Sequence, residues 1–305
     1  MQQKTKKPYQ ASMSKAEWRK YRQPYLLILP AVLFVFIFAY LPMSGIVIAF
    51  KDFDILDGIL KSPWVGLKNF KTIFTYPDML LAIKNTLVYG VVILFLGFPF
   101  PILLALLFNE VKLTNVKKVF QTVSYMPYFL SWISVIGLFY SFFSLEGAFN
   151  SVMKMIFGAG YEPVNILMNE KFFLPILFTS HLWKNMGWSS VVYLACMAGI
   201  DPSMYEAARV DGCGRLKQVF YITLPSIKGT ALVVFIMSLG SLFNTNFEQV
   251  LGFQNVYTQE ATEVISTLIY RQGIQNGKYS LATAFGLMQG VVTIVILLTA
   301  NAFTK

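Results

Sequence analysis

Hydrophobic residues in this chain gather into long runs separated by short polar stretches. Each run reaches the roughly 20 residues that an α-helix needs to cross the hydrocarbon core of a bilayer. Six runs occur, at about 24–50, 80–108, 123–143, 172–199, 225–247 and 281–303. The pattern predicts an all-α membrane protein with six transmembrane helices. Pro30, Pro42, Pro99, Pro101 and Pro175 fall inside the runs, so kinked helices are expected, with neighbouring helices satisfying the freed backbone groups. An even number of crossings puts both termini on one side.

Composition agrees with this picture. Of 305 residues, 56% are hydrophobic and 13% charged, about half the usual charged share of roughly 25%. That leaves too little polar surface to cover a soluble core. The net charge of +10 could signal nucleic acid, but the placement of the basic residues decides otherwise. Fifteen Lys and Arg lie in the N-terminal segment, in 109–120, in 200–228 and at Lys305, against eight in 51–79, 144–171 and 248–280. The positive-inside rule therefore places both termini in the cytoplasm, and no nucleic acid partner is needed. Two cysteines, Cys196 and Cys213, and the single His181 give no material for a disulfide framework, a metal site or His-based hydrolysis.

Residues 1–23 are too long and too polar to be the n-region of a cleaved signal peptide and are expected to form a cytoplasmic tail. Ser14-Lys15-Ala16-Glu17 has capping-box spacing, which predicts a short amphipathic helix to about Arg22. With Trp18 and Tyr21 three apart, that helix is either interfacial or simply solvated. The chain ends soon after its last apolar run, leaving little for a C-terminal contact.

The most informative polar stretch is 201–225, between the fourth and fifth runs. Asp201 suits an N-cap, Pro202 the first turn, and Gly212 a left-handed stop, which predicts a helix from Pro202 to Asp211. Ala207 and Ala208 would let another surface come close, with Tyr205 beside them and Glu206, Arg209 and Asp211 offering charge. A second helical run is expected over Arg215–Ile222, with Pro225 opening the fifth span. Glu206-Ala207-Ala208, Gly212, and then Ile222-Thr223-Leu224-Pro225 resemble the EAA motif of permease subunits of binding-protein-dependent ABC importers. Tyr25–Pro30, Ile48–Lys51, Ser62–Leu67, Leu106–Val111 and Ala198–Pro202 extend the resemblance to the LplB-like branch of the carbohydrate-uptake permeases. Cys213 stands where the motif usually has Ala.

The resemblance implies a type I ABC importer permease fold in a bacterial cytoplasmic (inner) membrane, with Pro202–Asp211 as a cytoplasmic coupling helix. It also implies a second homologous permease, an ATPase dimer that binds ATP and Mg, an extracytoplasmic solute-binding protein and an oligosaccharide solute. No G-x-x-x-x-G-K-[ST] occurs, so this chain has no P-loop and no nucleotide cofactor of its own. A secondary transporter driven by an ion gradient is the competing reading; it expects an acid buried within a span.

Polar groups inside spans mark either a solute path or hydrogen bonds between helices. His181, Lys184, Asn185 and Trp188 follow helical spacing in the fourth run. The resemblance implies that this span and the fifth line the cavity, which adds Asn244, Asn246 and Glu248. The alternatives are helix packing for the first group and a solvated helix end for Glu248. Lys184 above all would suit a carboxylated sugar, because hydrogen bonds to carboxylate are the stronger kind. The reading therefore leans to uronate oligosaccharides such as alginate or pectin fragments, with neutral sugars open.

Overall fold

The computed structural model describes residues 15–243 and 245–303, and among them the fold is all-helical. Among the described residues five helical stretches are long and apolar enough to cross a membrane: Pro24–Phe50, Pro77–Glu110, Trp132–Phe157, Arg215–Leu239 and Tyr279–Ala302. A sixth, Glu170–Ala198, has 29 residues and so spans about 44 Å at 1.5 Å per residue. It misses on composition alone, because it carries His181, Lys184 and Asn185.

The first helix, α1 (Lys15–Val35), runs on through a π-helical turn at Phe36–Tyr40 into a 3-10 segment, Leu41–Phe50. Expected cap Ser14 lies outside the described residues, as do the side chains of Trp18 and Tyr21. Most of this span is exposed until Ala49, which enters a core with Ile73, Met79, Leu268 and Phe285. The second span is α2 (Pro77–Val91), a π segment Val92–Gly97, and α3 (Pro99–Glu110). The π widening directly precedes Pro99, whose ring and missing N–H disturb the regular ladder.

The third span departs from expectation. A helix, α4 (Thr114–Tyr125), occupies much of the stretch expected to be a loop; the expected span then passes through a 3-10 turn at Met126–Phe129 and restarts as α5 (Trp132–Phe143), where the apolar stretch Trp132–Phe157 begins. Ser131 caps the restart by accepting the Ser134 amide at 3.2 Å. The segment 144–171 also holds a helix, α6 (Ala148–Phe157). The fourth span is α7 (Glu170–Ala198), capped by Asn169.

Next comes α8 (Pro202–Val210), one residue shorter than expected. Arg215–Ile222 is not a separate helix. Arg215–Gln218, a π segment Val219–Thr223 and α9 (Leu224–Leu239) run together as one span, because Pro225 falls in the first turn of α9, where its missing N–H is tolerated. That span ends at Leu239, several residues early, and α10 (Phe247–Phe253) begins anew with Asn246 as its cap. Beyond it lie α11 (Ile265–Tyr270) and α12 (Tyr279–Phe303). Helices Pro99–Glu110 and Glu170–Ala198 pack along each other around Ala105, Tyr193, Met197 and Ile227.

Candidate functional site: a hydroxyl-lined cavity and an exposed helix beneath it

Two features carry the candidate function. The first is α8. The Asp201 carboxylate accepts the Ser203 amide at 2.9 Å, and this hydrogen bond holds its carboxyl below the usual carboxylate range. At the other end Gly212 has φ +72°. The Gly212 amide donates to the Arg209 carbonyl at 3.1 Å and the Cys213 amide to Ala208 at 2.8 Å, the paired bonds of a Schellman stop. Glu206, Ala207, Arg209, Asp211 and Gly212 are exposed, and Tyr205 and Ala208 half-buried. The Tyr205 hydroxyl lies 2.9 Å from Thr223 Oγ1, and Gln218 donates to the Cys213 carbonyl at 2.9 Å. The helix is thus fastened to the start of the fifth span while its outer face stays open. Arg215 faces Glu110 at 3.8 Å, so the end of α3 lies at this same end of the bundle.

The second feature is a cavity of about 580 Å³ between the second, fourth and fifth spans and the segment that follows the fifth. Its polar lining includes Tyr89, His181, Asn185, Ser189, Ser238, Ser241, Thr245, Asn246 and Ser266. Hydroxyls and amides of this kind hydrogen-bond a polyol from several sides. The buried Nδ1 of His181 has no partner in the described structure. Asn185 donates to the His181 carbonyl at 2.9 Å, and Asn246 caps α10 by accepting the Gln249 amide at 2.9 Å.

The four residues expected to form one stripe on α7 divide. His181 and Asn185 line the cavity with Leu182, Met186, Ser189 and Tyr193. Lys184 and Trp188 turn toward the interrupted third span instead. Lys184 is 6% exposed, and Trp188 stacks on Tyr128 at 4.9 Å and 10°. Residues on a helix are set about 100° apart, and the stripe lies across the border of two packing faces. Lys184 does not line this cavity, and its ammonium is engaged by backbone carbonyls of the third span, so nothing in this geometry supports its choosing a carboxylate. Among the described residues it forms no ion pair with Glu248. Glu248 is exposed in the first turn of α10 and does not line the cavity. Asn244 lies outside the described residues, and Glu248 stands on a new helix, Phe247–Phe253, that begins after the fifth span has ended at Leu239.

Gln249, read from the sequence only as one of the polar residues at the end of the fifth span, is the centre of a node that closes one side of the cavity. Fully buried Gln249 accepts from the Tyr89 hydroxyl at 2.5 Å and donates to the Leu177 carbonyl at 2.7 Å and Ser180 at 2.8 Å. Sequence reasoning passed over Ser238 and Ser241, which line the cavity and whose i, i+3 spacing in an apolar run was the available signal. Elsewhere, Arg271 pairs with the buried Glu263. Burial raises the Glu263 carboxyl, with Thr267 and Arg271 partly offsetting it. Asn85 donates to the carbonyls of Ala261 and Glu263, so these polar groups hold the fold together.

A bundle of apolar helices, a polar cavity between them and an exposed, capped helix at one end are the features of a membrane permease. The chain belongs to the family of inner membrane components of binding-protein-dependent transport systems, whose model it matches over residues 79–305. It is 41% identical over 281 residues to the polygalacturonan/rhamnogalacturonan transport system permease protein YteP of Bacillus subtilis (strain 168), covering 92% of this chain and 87% of that protein. It is 37% identical to protein LplB of the same organism, over 97% of this chain and 91% of that one. A crystal structure of a bacterial alginate ABC transporter in complex with an alginate pentasaccharide-bound periplasmic protein contains a chain with TM-score 0.84 and 38% identity, the match covering 94% of this chain and 96% of that one. The protein is accordingly a multi-pass permease of a sugar-importing ABC transporter. That family assignment sets aside the ion-gradient reading.

Proposed function

We propose that the chain moves acidic, uronate-containing oligosaccharides across the bacterial cytoplasmic membrane by alternating access. A second permease would complete the path, and a separate ATPase dimer, with its own ATP and Mg, would seat the outer face of Pro202–Val210. An extracytoplasmic binding protein would deliver the sugar to the far side, and both termini would lie in the cytoplasm. This chain itself would catalyse nothing.

The observation that carries the solute path is the hydroxyl and amide lining of the cavity. The lean to acidic sugars rests on the names of two similar systems, one for polygalacturonan and rhamnogalacturonan and one for alginate. Lys184 does not support it. The test is ATPase activity and uptake by the reconstituted complex with its binding protein, given acidic or neutral oligosaccharides of equal length. Stimulation by uronate sugars alone is expected. Stimulation by neutral sugars alone would discard the acidic class, and an absence of copurifying ATPase would overturn the docking role of α8.

A further inference from the structure

We infer that Lys184 is a positioning residue that locks the interrupted third span to the fourth. The cytoplasmic half of span three would then move with span four and with α8 as one body. The direction of this motion rests on the reading of α8 as the coupling helix.

The geometry starts at the break. Between Tyr125 and Trp132 the helical ladder gives way to a 3-10 turn and two extended residues, and carbonyls there lose their usual helical donors. Within a bilayer such groups must be met from elsewhere in the protein. The Lys184 ammonium meets them: it donates to the Tyr128 carbonyl at 2.8 Å, to the Leu130 carbonyl, and at a longer 3.4 Å to Pro127. Its nitrogen lies 5.6 Å from the centre of the Tyr128 ring and 5.5 Å from that of Trp132. A single cation thus uses all three donors on one broken turn, next to the negative end of a helix dipole.

The same face of α7 makes two further attachments. A Cβ at Gly187 would fall 1.9 Å from the Ser124 carbonyl oxygen, so the two backbones touch there. One residue on, Trp188 stacks on Tyr128. Positions 184, 187 and 188 therefore all grip Ser124–Trp132, while the cavity lies on another face. From this joint α7 runs directly to Ala198, and α8 follows at Pro202. A displacement of α8 reaches the fifth span through Tyr205 and Thr223 and span four through the short link 199–201, and the grip passes the span-four part of it to α4.

The test uses the reconstituted complex with its binding protein. Lys184→Met keeps the bulk and removes the donors, Lys184→Arg keeps a multidentate cation, and Gly187→Ala forces the same contact apart without touching the ammonium. The inference expects a several-fold rise in ATP consumed per sugar imported for Lys184→Met and Gly187→Ala, with partial rescue by Lys184→Arg. It also expects an unchanged KM for the sugar-loaded binding protein and faster amide exchange at Leu130–Trp132. A raised KM with coupling intact would make Lys184 a solute contact and overturn the inference. Wild-type coupling in Lys184→Met and Gly187→Ala would overturn it too, provided Glu206→Lys uncouples. Should Glu206→Lys leave coupling intact, the coupling-helix reading has failed instead, and unchanged amide exchange in Lys184→Met would then be the result that removes the joint.

Discussion

Asp201 and Gly212 close the two ends of Pro202–Val210 with different chemistry. The Asp201 carboxylate supplies an acceptor for an amide that has no helical partner. Asp201→Ala should therefore speed amide exchange at Ser203 and Met204 and weaken import, whereas Asp201→Asn, itself a good cap, should keep both near wild type. The carboxyl is held below its usual range in the folded helix. The cap's contribution is thus complete above the ordinary carboxylate pKa and is lost as pH falls through the lowered value. Exchange measured across an acid titration should show that loss in the wild type and not in Asp201→Asn. At the other end, any residue with a side chain at φ +72° costs about 1–2 kcal/mol. Gly212→Ala should fray the last turn, and Gly212→Pro, which cannot adopt positive φ, should uncouple ATP turnover from uptake while the complex still assembles. Both end signals were legible in the sequence, because capping depends on residues within one turn of the helix end.

At the scale of elements, hydropathy located the apolar helices and misplaced their interruptions. Met126–Leu130 and Gly240–Phe243 are as apolar as their surroundings, so nothing in a hydropathy profile marks where the third span breaks or where the fifth stops. The breaks persist because partners come from other elements: Lys184 for the third span, and Gln289, whose amide donates to the Phe243 carbonyl at 2.6 Å, after the fifth. The Gln249 node is of the same kind, joining α2, α7 and α10. Gln249→Leu should strand the Tyr89 hydroxyl at a cost of about 1–3 kcal/mol and lower the thermal midpoint of the purified complex. A wild-type midpoint would show that the node is dispensable. Gly90 meets the Leu242 carbonyl oxygen so closely that a Cβ would lie 2.1 Å from it. Gly90→Ala should therefore push α2 away from the end of the fifth span and reduce import at normal membrane levels.

For the whole molecule, the polar cavity and the exposed face of α8 lie on different parts of one bundle, so their mutants should separate. Ser238→Ala with Ser241→Ala should raise the KM for loaded binding protein and leave ATP use per sugar unchanged. Glu206→Lys should leave ATP turnover running and abolish most uptake. Uptake assays with parallel phosphate release distinguish the two, and a shared phenotype would count against the division of labour. The order of amino acids by itself determined that the chain is a helical membrane protein, where its apolar runs lie, and that a capped helix stands before the fifth of them. Those properties depend on local hydrophobicity and on groups within a turn or two of one another. Only the tertiary structure decided that His181 and Asn185 line a cavity while Lys184 and Trp188 hold a broken helix. Four residues at helical spacing can share a stripe and still face two neighbours, and which neighbour each one meets is set by how the other spans approach.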